Sequence, residues 1–339
     1  MHVEASSPSQ ATSKTTWFMP CAKRFTFLCL VAKVHERGAK AGAVEPCPFP
    51  PAWILPHDNG TLLVGRDGEL VNIDVGGQLV GDHVCPFPMT MSHGVVLGKR
   101  LLGTWIDHEL RMARFAALDI ETLAQGPNKA SVRRGEPQAM HPAGHVWSHA
   151  LDAEPLGLVE HEGHVVLALH PDALYLIDAE GREVERTKLP KPVDDLGGSL
   201  VSMHSEGDAV LVTLRDGSCH RVSFAGLPPV LLGRSATTQP VRSVAYGPKG
   251  RLVLTEDHEA IWTEDEHVLM RARLSGPPGQ VLWSTKDEAW LIAGWRERVL
   301  LAASGFKRVD RDNVDVAVLA TEDTVSVLDN NGVWSAFDA

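Results

Sequence analysis

Nothing in this chain of 339 residues approaches the ~18 consecutive apolar residues that a membrane-spanning helix needs. An integral helical membrane protein is therefore not expected. Cysteine is scarce. The five are Cys21, Cys29, Cys47, Cys85 and Cys219, an odd number with no Cys-x-x-Cys pair. That does not read as a disulfide framework or a structural zinc site, and it fits reduced thiols in the cytosol. Runs of lysine and arginine are absent too, and the net charge is −11. A field of that sign opposes binding to nucleic acid or to an anionic membrane. No Gly-x-Ser-x-Gly elbow, Walker loop or dinucleotide fingerprint occurs.

Helical periodicity is also lacking. The one stretch that carries it, ELRMARFAALDIETLA (109–124), spaces Leu110, Ala113, Ala117 and Ile120 as a helix would. Its place in the repeat described next favours a strand instead.

What the chain does have is turn residues. Thirty glycines and twenty-two prolines are spread along it, beside 44% apolar and 22% charged residues. From about residue 50 onward, short β-like runs alternate with turns. TLLVGRDGELVNIDVGGQLV (61–80) reads as strand, Asp-Gly turn, strand, Gly-Gly turn, strand. The same plan recurs at 164–189, 208–224, 251–274 and 314–339. Third strands align near 70–74, 114–119, 174–178, 219–223, 260–263, 299–303 and 333–337. A pitch of about 40–45 residues is that of a β-propeller blade of four antiparallel strands. Such a sheet cannot bury both faces alone, so the sheets stack radially. The expected fold is all-β: a single β-propeller of seven four-stranded blades, with six or eight as alternatives. DHE occurs at 107–109 and 257–259, each time at the expected turn between second and third strands, where its residues would be solvated. The polar stretch between 120 and 150 is too long for a blade turn and predicts an excursion on the disc surface.

CPFP occurs at 47–50 and again at 85–88. At one blade pitch the two copies enter blades one and two. Their prolines then sit where no ladder amide is needed. Phe49 and Phe87 fill successive inter-blade gaps, and the cysteines stay unpaired.

LYLIDAEGREV (174–184) resembles the pyrroloquinoline-quinone-like propeller repeat, and ELVNIDVGGQLV (69–80) matches it more weakly. VRSVAYGPKGRLVLTEDHEAIWTED (241–265) resembles a WD-repeat blade, with Trp262 on its third strand, although the Gly-His and Trp-Asp dipeptides are missing. These resemblances imply the β-propeller superfamily over most of the chain. They point to no specific family and transfer no activity.

The first residues differ from the rest. Residues 1–24 read as a Ser/Thr-rich extension, and the propeller as 25–339. FTFLCLVAKV (25–34) is β-rich and is expected to supply the outer strand that the seventh unit lacks. The stretch 23–43 has the basic start, apolar core and small-residue site of an export signal, but VHERGAK interrupts it. A cytoplasmic location is therefore expected, with export the alternative.

Candidate site residues are few. His141, His145 and His149 stand at four-residue spacing and are weak candidates for a metal site, because Pro142 and Gly144 disfavour the helix that would align them. Trp105, Trp147, Trp283, Trp290 and Trp295 are candidate partner anchors or inter-blade packing. The turn WRER places Trp295, Arg296 and Arg298 together as the best exposed pair of types. The functional expectation is a non-catalytic scaffold that binds a protein partner through one face of the disc, without a cofactor. The alternative is a channel-centred hydrolase or lactonase with calcium held by turn carboxylates. No quinone-site Cys-Cys pair is present.

Overall fold

The structure, a computed structural model, describes residues 44–193, 199–265, 267–320 and 324–338. The expected strand at 25–34 and the extension before it lie outside these residues. The described chain forms seven antiparallel sheets, six of four strands and one of three, each in simple sequence order. The first strands of successive sheets pack against one another, and the last packs against the first. That arrangement is a closed seven-bladed β-propeller with the first strand of each blade innermost.

Burial follows the order of strands. Second strands such as Ala209–Leu214 and Ala289–Gly294 are buried at every position. They lie between two neighbouring sheets, so both of their faces need apolar side chains. Outer strands such as Glu183–Lys188 are largely exposed and charged. Seven buried apolar clusters occupy the seams between blades.

A shared irregularity sets the register. Inner strands start with a paired residue, a bulge, and a second pair: Met91 with Trp105, then His93 with Thr104. The same step follows Pro51, Leu200, Val241, Pro278 and Asp315. A bulge at this point increases the strand's twist. The residue after it is often polar and stitches the ring together. The His93 Nε2–H donates to the Pro155 carbonyl of the next blade at 3.1 Å. Ser202 donates to the Val244 carbonyl at 3.2 Å, and the Val318 amide donates to Gln280 at 2.7 Å.

The third strands run Leu70–Asp74, Met112–Asp119, Ala173–Ile177, Ser218–Val222, Glu259–Glu264, Glu297–Ala302 and Trp334–Ala336. Each overlaps its sequence-based position, and Met112–Asp119 is a strand rather than a helix. Both DHE strings fall at second-to-third turns. Asp107 is not solvated there, however. It is buried, and its Oδ1 accepts the amides of Glu109 and Leu110 at 2.8 and 3.1 Å.

The two CPFP strings sit one blade apart. Phe49 belongs to the seam between blades seven and one, and Phe87 to the seam between blades one and two. Their register differs slightly. Phe49 is followed by Pro50 and then the strand at Pro51, whereas Pro88, Met89 and Thr90 separate Phe87 from the strand at Met91. The Cys47 amide donates to the Gly332 carbonyl at 2.9 Å, which ties the entry of blade one to the last blade. Cys47 and Cys85 are both free thiols, and burial pushes the Cys47 thiol up to about 11.

Between the third and outer strands of blade two, the chain leaves the sheet at Asp119 and returns at His145. This excursion holds a short helix, Lys129–Arg133, capped by the Asn128 side chain, and a 3-10 turn, Pro137–Met140. Val132 and Ala139 are the buried residues of these two turns. The Gly126 amide donates to the Cys85 carbonyl at 2.9 Å, and the Ala143 amide to the Pro86 carbonyl at 3.0 Å. The second CPFP string therefore anchors both ends of the excursion. No helix among the described residues is long and apolar enough to cross a membrane.

Candidate functional site

Inner strands start, and second strands end, on the same face of the disc, called here the entry face. A pocket of about 710 Å³ opens on it at the corner between blades six and seven. The buried apolar cluster of the seam below holds, among the described residues, Leu282, Ala293, Val318 and Val327.

The rim is built by the turn between Ala289–Gly294 and Glu297–Ala302, which consists of Trp295 and Arg296. The Trp295 amide donates to the Pro277 carbonyl at 3.2 Å, and the Arg311 amide donates to the Arg296 carbonyl at 2.8 Å. Gly276 gives the indole its seat: a Cβ there would lie 2.7 Å from the Trp295 Cβ. The turn is thus held from both sides while Trp295 remains 50% exposed. Arg296 has φ +59°, a left-handed conformation that costs a non-glycine residue about 1 kcal/mol or more. The corresponding turns of blades one, four and seven assign that region to Gly68, Gly217 and Gly332. Blades two and five place Arg111 and His258 there, but blade six alone sets a half-exposed tryptophan beside it.

Arg298 differs from the sequence-based expectation. It is not an exposed anchor but is 1% exposed. Its guanidinium meets Asp315 of blade seven at 2.6 and 3.1 Å, and also donates to Ser335, the Ala336 carbonyl and Asp338. Burial alone would lower its pKa, but Asp315 outweighs that and holds it above the usual range. Strand alternation does not show which face of a blade strand meets a charged partner, so the sequence left Arg298 grouped with its neighbours.

The other tryptophans divide. Trp105 and Trp290 are fully buried in inter-blade clusters, so neither is a surface anchor. Trp283 stacks edge-on against both Trp262 and Trp290. Trp147 donates its indole N–H to the Ala179 carbonyl at 2.9 Å.

The three histidines lie at the return of the excursion. His141 and His145 stack at 5.0 Å, while His149 stacks on Trp147 instead. His141 also faces the Arg114 guanidinium at 3.5 Å; burial, that charge and His145 hold its pKa below the usual value. Among the described residues, no group of three His, Cys, Asp or Glu side chains is placed to hold a metal ion. Several turn carboxylates serve the turns themselves. Asp74, Asp178 and Asp329 each accept two backbone amides of their own hairpin.

A buried Asp216, Ser218 and His220 chain in blade four was not singled out in the sequence. Ser218 donates to Asp216 at 2.6 Å, and the His220 Nε2 lies 3.2 Å from the Ser218 hydroxyl. The order is wrong for a nucleophilic triad, in which the carboxylate orients the histidine rather than holding the serine. The chain fixes the turn: Asp216 also accepts the amides of Ser218 and Val193.

No protein-family model matches this chain, and no curated protein matches it. Solved structures do. BamB from Moraxella catarrhalis aligns at a TM-score of 0.51 and 10% identity, over 84% of this chain and 81% of that one. The WD40 β-propeller domain of Doa1 aligns at 0.59 and 10% identity, over 87% and 96%. The computationally designed Ika8 protein aligns at 0.56 and 11% identity, over 88% and 98%. Identities this low carry the architecture only. What they show of this chain is its fold, a β-propeller.

Proposed function

We propose that this chain is a non-catalytic interaction propeller that docks a protein partner on the entry face, at the corner between blades six and seven. The observation that carries the reading is Trp295. A large aromatic ring, half in solvent, is seated by Gly276, in a turn held by two backbone hydrogen bonds beside a pocket of about 710 Å³. A rigid exposed tryptophan loses little entropy on binding, and such residues dominate binding hot spots. The strained turn fits the same reading, since an unfavourable backbone is retained where its side chains are needed.

A photo-crosslinking residue at position 295, compared with one at Glu162 on the opposite face, tests this in the cells that express the protein. A discrete adduct is expected from position 295 and none from 162. Equal labelling at both, or none at 295, overturns the reading.

A further inference from the structure

The pocket at Trp295 also shows what chemistry a partner must bring. Three cations line it: Arg296, Arg298 and Arg311. Two are already engaged. Arg298 is enclosed by Asp315, Ser335 and Asp338, and Arg311 pairs with Asp338 at 3.0 Å. Among the carboxylates, Asp315 is taken by Arg298, and Asp329 accepts two turn amides and the Asn313 side chain. Asp310 and Asp312 remain. Both are exposed, and neither carboxylate has a hydrogen-bond or ion-pair partner among the described residues. They flank Arg311, whose amide is bonded to Arg296, so the two acids stand beside the Trp295–Arg296 turn.

We infer that the pocket between blades six and seven receives a basic side chain, lysine or arginine, of a partner polypeptide. This rests on the reading that the entry face docks a protein. A cation gains from the indole face of Trp295 and from the carboxylates of Asp310 and Asp312 together. An anionic group would find only Arg296 unengaged and would meet two uncompensated acids. The field of the whole chain, at net charge −11, steers in the same direction. Selectivity arises because the engaged arginines line the pocket without being available to a carboxylate.

A displayed library of random dodecapeptides, selected on the full chain and counter-selected on Trp295→Ala, provides the test. Asp310→Asn/Asp312→Asn is the second variant, near-isosteric and confined to exposed side chains. Both variants are first checked for an unchanged melting temperature. The expected peptides share a lysine or arginine, and they lose about tenfold or more in affinity on either variant. Their affinity should also fall with added salt. Acidic or uncharged peptides that need Trp295 but ignore the Asn pair would overturn the basic-side-chain inference and leave the docking face standing. A library in which no peptide separates the full chain from Trp295→Ala overturns both.

Discussion

Arg298 of blade six and Asp315 of blade seven form a two-point ion pair across their seam, with both side chains 1% exposed. It stands on the seam whose buried apolar cluster is, among the described residues, the smallest of the seven. Removing one partner leaves a buried charge with nothing to offset it. Arg298→Met should therefore cost about 3–5 kcal/mol, read as a shift of the urea midpoint. Arg298→Met with Asp315→Leu should recover most of that loss, because the uncompensated charge is gone. A single variant as stable as the parent would show that another contact holds the seam.

Phe49 and Phe87 lie on different seams and are both buried. Truncating either to alanine should cost about 3–5 kcal/mol. With no shared cluster, the two losses should add within about 0.5 kcal/mol in the double variant. Strong non-additivity would mean that the seams of blade one do not act separately.

His93 gives the fold an acid-sensitive point. Its Nε2–H is engaged with Pro155, and its buried Nδ1 has no hydrogen-bond partner among the described residues. Burial lowers its pKa from 6.5 to about 4. Above pH 6.5 it is neutral in both folded and unfolded chains and contributes no pH dependence. As pH falls from there towards 4, the unfolded chain takes a proton that the native one refuses. Stability should fall by on the order of 3 kcal/mol over that window, then level off for this group. Blades four and five carry Ser202 and Ser243 at the same register position. His93→Ser should flatten this part of the profile in urea unfolding at stepped pH. An unchanged slope would place the acid sensitivity elsewhere.

The excursion of blade two should be dispensable to the ring. Gly126 and Ala143 donate to the adjacent carbonyls of Cys85 and Pro86, so its two ends lie side by side. Replacing 127–142 by a short Gly-Ser link should leave the ladder between Met112–Asp119 and His145–Leu151 intact. The circular dichroism spectrum and a single cooperative melt should persist. Global unfolding would show that Val132 and Ala139 complete the core.

Much of the architecture could be read along the chain, because its cause is local. Asp-Gly and Gly-Gly turns divide alternating runs such as 61–80, and a turn every few residues leaves no topology but a meander. The overlap of all seven third strands with their expected positions follows from that. At 109–124 the local period favoured a helix, and the position in the repeat decided for the strand that the structure has.

The site was only half legible. Trp295 and Arg296 sit in a two-residue turn between strands, which is where the sequence placed an exposed pair, and both are exposed. Arg298 is two residues further on, and the same string gave no sign that it turns inward. In a propeller both faces of a middle strand are covered by neighbouring sheets, so the period-two alternation that separates inside from outside in a two-layer protein loses its meaning. Whether a charged side chain there is exposed or enclosed depends on the blade beside it. For Arg298 that blade carries Asp315, and for Asp310 and Asp312 it carries, among the described residues, no side chain that engages them. Such pairings form where one blade packs on the next, and only the tertiary structure decided them.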